Sequence, residues 1–254
     1  MRLSVVGAGP AYTDRPGASG AGYLLRSDTT SLLLDLGQGS FPRLAGLLDP
    51  AALDAVVVSH LHPDHFIDLV PLRHYLCYEK SPSRVRVLGP AGLADRLDAL
   101  NGAAGWTADS LDVRSLVEGR QAIGPFELEV ARVTHTDSSY GFRVSTPTDR
   151  LPDPIGLVYS GDCGRAEDLD ALARPGDTLL CEVSFGPGPV LAGAQHLDGP
   201  AVGELARRVG AGRVLLTHLQ MGRDRTATID SVRARFDRGP VELVDPGFEM
   251  TIGS

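Results

Sequence analysis

The chain contains almost no lysine and carries an excess of negative charge. Lys80 is the only lysine in 254 residues, and the formal net charge at pH 7 is −8. Proteins that bind nucleic acid through its phosphates usually present a clustered basic face. The charge balance therefore argues against a general polyanion-binding surface.

Cysteines and long apolar runs are also scarce. The three cysteines, Cys77, Cys163 and Cys181, are odd in number and have no C-x-x-C spacing, which favours reduced, intracellular thiols. No apolar run approaches the 18 residues of a membrane-spanning helix, and the opening segment RLSVVGAG is typical of a strand rather than a signal peptide. We therefore expect a cytoplasmic protein that does not bind membranes.

What is present fits a globular α/β protein. Hydrophobic residues make up 43% and charged residues 22% of the chain, which is ordinary for such a protein. Layered α/β folds commonly reach 254 residues as one unit. We expect a single domain over residues 1–254.

The segment VVVSHLHPDHFIDL concentrates the metal-binding side chains. It contains His60, His62, Asp64 and His65 on a turn between the apolar strand-like run Ala55–Val58 and an apolar helical spacing. The chain has seven histidines, and three of them fall within these six positions. Imidazole and carboxylate are ligands that borderline divalent metals favour. The alternative is a solvated polar loop, and the pattern favours a metal site.

The motif SHLHPDH resembles the signature of the metallo-β-lactamase superfamily. The resemblance implies a four-layer αβ/βα sandwich and three further ligands downstream: a histidine, an aspartate shared by two metals and a last histidine. His135, Asp162 and His218 occur in that order, and each ends or follows an apolar strand-like run. Alone, each would more often be a structural hydrogen-bonding residue.

The resemblance also implies how the ligands divide between two divalent ions. Zinc is favoured by the ligand type, with Mn²⁺ or Fe²⁺ as alternatives. Asp162 would bridge the ions. The first ion would be held by His60, His62 and His135, and the second by Asp64, His65 and His218.

A late histidine resembles the general acid of the phosphodiesterase branch of the superfamily. In that branch the histidine is held by a glutamate and gives a proton to the leaving oxygen; His196 and Glu182 match these positions. Asp64 would also direct the attacking water by a hydrogen bond. The alternative for His196 is a surface histidine that precedes a helix.

Two related enzyme classes are candidates for the function. The overall pattern resembles mycobacterial-type cyclic-nucleotide phosphodiesterases, which implies a small phosphodiester such as cyclic AMP as substrate. Ribonuclease Z shares the third motif, here His135, Ser139, Gly141 and Phe142, but carries a long tRNA-gripping arm before the next ligand. Only 27 positions (162 − 135) separate His135 from Asp162, which leaves no room for that arm.

The alternatives are therefore ribonuclease Z-like RNA cleavage, with a homodimer partner supplying the grip, and a non-catalytic metal-binding scaffold. Nucleic acid is disfavoured as a substrate. Asp35 is expected to be either a structural residue or one that supports a ligand by a hydrogen bond, and His74 a packing or surface residue. Trp106 is expected to cover the core or to line a pocket mouth.

Overall fold

The strands form two mixed sheets of seven strands each in this computed structural model, which describes residues 1–148 and 153–253. The strands of the first sheet are β1 (Arg2–Gly7), β2 (Gly22–Arg26), β3 (Ser31–Leu34), β4 (Ala55–Val57), β5 (Val85–Gly89), β6 (Leu111–Ser115) and β14 (Glu249–Thr251). Those of the second are β7 (Gly119–Ile123), β8 (Phe126–Arg132), β9 (Tyr140–Ser145), β10 (Leu157–Tyr159), β11 (Thr178–Glu182), β12 (Arg213–Thr217) and β13 (Val241–Leu243). The spatial orders are β14-β1-β2-β3-β4-β5-β6 and β13-β12-β11-β10-β9-β8-β7.

Helices cover the outer face of each sheet. They are α1 (Phe41–Leu47), α2 (Pro63–Phe66), α3 (Leu69–Tyr78), α4 (Leu93–Asn101), α5 (Gly199–Val209) and α6 (Arg225–Arg233). The first four pack apolar side chains on the first sheet, and the last two pack on the second. The predicted four-layer sandwich is confirmed.

Strand β3 shows why these sequences form buried strands. Leu32 and Leu34 point into the core between the two sheets, whereas Leu33 points into the outer core beneath the helices. Successive side chains of a strand face opposite sides. A strand covered on both faces is therefore apolar throughout rather than alternating, as in this Leu-Leu-Leu run.

The parallel strands deliver the polar side chains to one edge of the sandwich. Strands β3, β4 and β5 run parallel in the first sheet, as do β10 to β13 in the second. Asp35 and His60 come shortly after β3 and β4; Asp162 and His218 come after β10 and β12. Because carboxyl ends of parallel strands meet at one edge, residues far apart in sequence converge there.

Two elements differ from what the sequence pattern predicts. The apolar spacing after the motif predicts one continuous helix to Tyr78, but the structure divides it into α2 and α3. Asp68 separates them: its backbone N–H donates to the carbonyl of Leu36 at 3.1 Å, and its carboxylate accepts from the N–H of Phe41 at 2.8 Å. Strand β7 was not predicted. It is a mostly exposed edge strand, so it lacks the apolar alternation that marks the others.

The remaining structural predictions concern a Pro-rich turn, Trp106, membrane-spanning helices and the number of domains. The segment STPTDRLPDP at 145–154 is rich in proline and predicts a turn, but its residues 149–152 lie outside the described residues. Trp106 covers the outer core, as one of its two predicted roles requires, and the guanidinium of Arg73 stacks on its ring at 4.5 Å. No helix among the described residues is long and apolar enough to cross a bilayer. The single-domain organisation stays a prediction.

Candidate metal centre

All seven predicted metal ligands come together at the carboxyl edge of the sandwich. Within each of three groups, the nitrogen and oxygen atoms lie within 4.8 Å of one another, among the residues that the structure describes. The first group is His60, His62, His135 and Asp162; the second is Asp64, His65 and His218; the third is Asp162, His196 and His218. The first two groups match the predicted division of ligands between two ions.

Asp162 belongs to the first group but faces both. One carboxylate oxygen points towards histidines of the first group and the other towards histidines of the second. Its Oδ2 is 3.7 Å from Nε2 of His60 and 3.6 Å from Nε2 of His135. Its Oδ1 is 3.3 Å from Nε2 of His65 and 3.4 Å from Nε2 of His218. Oδ1 is buried and accepts no hydrogen bond among the described residues. A buried carboxylate oxygen without a donor is costly unless a cation occupies the space it faces.

The nitrogen spacings in the first group fit coordination of one ion. Nδ1 of His62 lies 3.0 Å from Nε2 of His60 and 3.1 Å from Nε2 of His135. Donors at about 2.1 Å from a tetrahedral zinc ion lie about 3.4 Å apart. The residues present therefore fit a divalent metal by both donor type and spacing.

Four of the histidines have their tautomer set by an acceptor at Nδ1. Asp35 can only accept, so Nδ1 of His65 carries the proton and Nε2 keeps a lone pair for a metal. The serine hydroxyls involved give their own protons to carboxylates, and so accept from the imidazoles. The Nδ1 acceptors are Ser59 Oγ for His60 (3.1 Å), Asp35 Oδ2 for His65 (2.7 Å), the Gln195 carbonyl for His135 (2.7 Å) and Ser184 Oγ for His218 (3.0 Å).

Two residues of the centre have left-handed backbone conformations. Asp35 and His218 both have φ of 58°, which costs free energy for residues other than glycine. Backbone hydrogen bonds hold both: the N–H of Asp35 donates to the carbonyl of Val57 at 2.8 Å, and that of His218 to the carbonyl of Ala8 at 2.9 Å. The fold thus fixes the direction of each side chain.

The electrostatics of the pocket favour a cation. Burial, followed by the charge of His65, lowers the pKa of His60 well below its usual value, which favours a neutral imidazole. Burial alone would lower the pKa of His65, but the charges of Asp162 and Asp35 outweigh it and raise that pKa. Burial would raise the pKa of Asp162, yet the charges of His218 and His65 hold it well below its usual value. The pocket therefore contains ionised carboxylate charge that attracts positive charge.

His196 and Glu182 form a pair beside the ligands. Nδ1 of His196 donates to Oε1 of Glu182 at 2.9 Å, and the imidazole remains partly exposed, at 21%. Burial would lower the pKa of His196, but the hydrogen bond and charge of Glu182 outweigh it, so the net shift is upward. The nearest approach of His196 to Asp162 is 3.9 Å and involves the same Nδ1. Because that atom already donates to Glu182, it has no lone pair for a metal.

The two remaining sequence candidates have separate places. Asp35 accepts a hydrogen bond from His65, as one of its two predicted roles requires. Nδ1 of His74 lies 2.9 Å from the carbonyl of Val70, and its ring packs against Trp106 at 5.4 Å. It belongs to none of the three groups found among the described residues, in agreement with its predicted packing role.

The sequence did not indicate several supporting residues. Ser59 and Ser184 are small polar residues, and only their position beside an imidazole gives them a role. Ser184 Oγ donates to Oε2 of Glu182 at 2.7 Å and accepts from His218, so it joins the ligands to the His196–Glu182 pair. The two-residue spacing of Glu182 and Ser184 was the one available sign, since it places both on the same side of an extended segment.

Comparisons of the sequence identify the family and several relatives of the chain. The sequence profile described as the beta-lactamase superfamily domain matches residues 33–219. A protein of Mycobacterium leprae is 33% identical over 97% of this chain and 87% of its own length. The probable metallo-hydrolase YhfI of Bacillus subtilis is 26% identical over 86% of this chain and 87% of its own length. A ribonuclease Z of Salinispora arenicola is 26% identical over 78% of this chain and 79% of its own length.

Solved structures share the fold. The crystal structure of YhfI superposes with a TM-score of 0.84 at 24% identity, covering 98% of each chain. The short form of human tRNase Z has a TM-score of 0.74 at 20% identity, covering 99% of each chain. Yeast PDE1 has a TM-score of 0.71 at 13% identity, covering 100% of this chain and 99% of its own. The chain therefore belongs to the metallo-β-lactamase superfamily and is a metal-dependent hydrolase.

Proposed function

We propose that the protein is a dinuclear metal-dependent phosphodiesterase whose substrate is a small phosphodiester, in first place a cyclic nucleotide such as cyclic AMP. The observation that carries the proposal is the division of the Asp162 oxygens between two histidine pairs. One carboxylate can in this way serve two ions. The ligands would be His60, His62 and His135 for the first ion and Asp64, His65 and His218 for the second, with Asp162 shared.

The chemistry suits an anionic phosphorus centre. Two divalent ions, when bound, lower the pKa of a water molecule towards neutrality and neutralise charge on phosphoryl oxygens. Zinc is our first choice from the imidazole and carboxylate donors, with Mn²⁺ or Fe²⁺ as alternatives. Asp64 can accept a hydrogen bond from the attacking water and so fix its direction.

The His196–Glu182 pair supplies the proton for the leaving group. Glu182 holds Nδ1 of His196, which leaves Nε2 to donate to the departing oxygen. Glu182 is itself fixed by the backbone N–H groups of Cys163 at 3.1 Å and Ser184 at 2.9 Å. The hydroxyl of Ser184 also donates to Glu182, at 2.7 Å, so three donors besides His196 hold the carboxylate and keep the imidazole in one orientation.

A ribonuclease Z-like endoribonuclease is the second candidate. The relative from Salinispora arenicola and the human tRNase Z bear that activity in their names, and the chain resembles both. Against it stand the net charge of −8 and the short interval between His135 and Asp162. A homodimer would be required to grip a tRNA, and sedimentation or light scattering would test for one. A cytoplasmic location is likewise a proposal, in keeping with three free cysteines.

A substrate panel with metal analysis tests the proposal. The purified protein should contain two metal equivalents per chain and hydrolyse bis(p-nitrophenyl) phosphate. Its turnover of cyclic AMP should far exceed its cleavage of precursor tRNA. The reverse ranking would support the second candidate, and metal-loaded protein that turns over none of the three would overturn the phosphodiesterase proposal.

A further inference from the structure

Tyr159 lies behind the metal centre and is buried, with 1% of its surface exposed. Its hydroxyl donates to Oδ2 of Asp35 at 2.6 Å. The same oxygen accepts the Nδ1 proton of His65 at 2.7 Å. One carboxylate oxygen therefore joins the imidazole of His65, a proposed metal ligand, to a tyrosine that makes no hydrogen bond to a proposed ligand among the described residues.

We propose that Tyr159 is a positioning residue for the second metal, because through Asp35 it holds His65 with Nε2 directed at the metal. The inference rests on the ligand set proposed above. It adds a residue that lies outside that set and outside the superfamily motif of the sequence.

The hydrogen bond matters because it crosses between the two sheets. Asp35 follows a strand of the first sheet and Tyr159 ends a strand of the second, 124 positions later in the chain. The other donors to Asp35 among the described residues belong to the first half: the N–H of Ser59 at 2.6 Å, its hydroxyl at 2.8 Å, and His65. Tyr159 is therefore the donor through which the second sheet helps to fix Asp35 and, through Asp35, the imidazole of His65.

Asp162 belongs to the same segment as Tyr159, three positions on (162 − 159). Its Oδ1 lies 3.3 Å from Nε2 of His65. A shared ion requires both donor atoms at fixed separation, and groups behind the ligands commonly set this. With Tyr159 bound to Asp35, the bridging carboxylate and the imidazole are held together from behind.

Loss of the hydroxyl would leave Asp35 with donors from one side only. Asp35 is fully buried, so its charge depends on hydrogen bonds rather than water. Its carboxylate could then turn towards Ser59, and the ring of His65 would turn with it. Binding of the second metal should weaken, whereas binding of the first should change little, because Asp35 contacts His65 directly and reaches His60 only through Ser59.

Tyr23 offers a matched control. It is fully buried, its ring lies 4.9 Å from that of Tyr159, and its hydroxyl is 2.6 Å from Oγ1 of Thr217. It makes no hydrogen bond to a metal ligand or to an Nδ1 acceptor among the described residues. Tyr23→Phe thus removes an equivalent buried hydroxyl from the same core.

The experiment measures zinc affinity rather than turnover. Wild type, Tyr159→Phe and Tyr23→Phe are stripped with a chelator and titrated with zinc against a chromophoric chelator. Wild type and Tyr23→Phe should bind two equivalents alike. Tyr159→Phe should bind one equivalent as wild type does and the other about 10- to 100-fold more weakly, the usual effect of losing a group behind a ligand.

Two outcomes in these variants would overturn the inference. One is an unchanged zinc affinity for both equivalents in Tyr159→Phe. The other is an equal loss of zinc affinity in Tyr159→Phe and Tyr23→Phe, which would show a merely structural role.

Asp35→Asn provides a second test. The double variant with Tyr159→Phe should bind zinc no more weakly than Asp35→Asn alone, since both residues act on His65 through the same hydrogen bonds. Additive losses would contradict this. Wild-type protein that binds no zinc would overturn the ligand set and this inference with it.

Discussion

Replacing His196 by alanine separates proton donation from metal binding. Nδ1 of His196 donates to Glu182 at 2.9 Å, which leaves Nε2 as the free nitrogen, and our proposal assigns that nitrogen to proton donation rather than to a metal. General acids contribute about 10²- to 10⁴-fold to rate, which corresponds to about 2.7–5.4 kcal/mol at about 1.36 kcal/mol per tenfold. Because Glu182 is itself fixed by Cys163 and Ser184, the imidazole is well oriented. We expect His196→Ala to lower kcat for a cyclic nucleotide by about a hundredfold or more.

The leaving group provides the assay. A ribose alkoxide needs a proton as it departs, whereas p-nitrophenolate leaves as a stable anion. His196→Ala should therefore lose much less activity, under about tenfold, with bis(p-nitrophenyl) phosphate than with cyclic AMP, because the general-acid contribution is then not needed. His74→Ala is the control, since this histidine packs on Trp106 away from the ligands.

Two results would refute the reasoning. Equal losses with both substrates would show that His196 does not act on the leaving oxygen. Loss of metal from the His196→Ala protein would make this residue a ligand, in the group it forms with Asp162 and His218.

Two further perturbations test the shared aspartate and the close packing behind the turn. Asp162→Ala should abolish activity and the binding of both metals, because the Asp162 oxygens face both histidine pairs. Metal analysis that still finds two ions per chain would contradict the bridging role. Gly37→Ala should destabilise the metal turn, because a Cβ there would lie 1.8 Å from the backbone oxygen of Asp64. Gly46→Ala, on α1 with open space around it, should instead stabilise by about 0.5–1 kcal/mol. Thermal unfolding distinguishes the two glycines, and equal effects would refute the packing argument.

The errors in the predicted elements have two physical causes. Strand β7 is a solvent-exposed edge, so its sequence carries no apolar pattern to find. The helix after the metal turn was predicted in one piece because its apolar spacing continues. Only the contacts of Asp68 with Leu36 and Phe41, residues from an earlier part of the chain, divide it into α2 and α3.

The sequence determined the ligand types and the fold class. The cluster that contains His60 and His65 is local, so its chemistry is visible in six consecutive positions. Apolar strand-like runs likewise placed Asp162 and His218 directly after buried strands. The family resemblance supplied the order of the remaining ligands and the role expected of His196.

Tertiary structure decided the rest, because the supporting hydrogen bonds join residues that are distant in sequence. Asp35 reaches Tyr159 across 124 positions, and His218 meets Ser184 across 34. Serine and tyrosine are not among the usual ligands of a zinc site, so no local pattern could indicate which of them would lie behind an imidazole. Which nitrogen of His60, His65, His135 and His218 is free to bind a metal is set by such partners, and of these four pairs only Ser59 and His60 are neighbours in sequence.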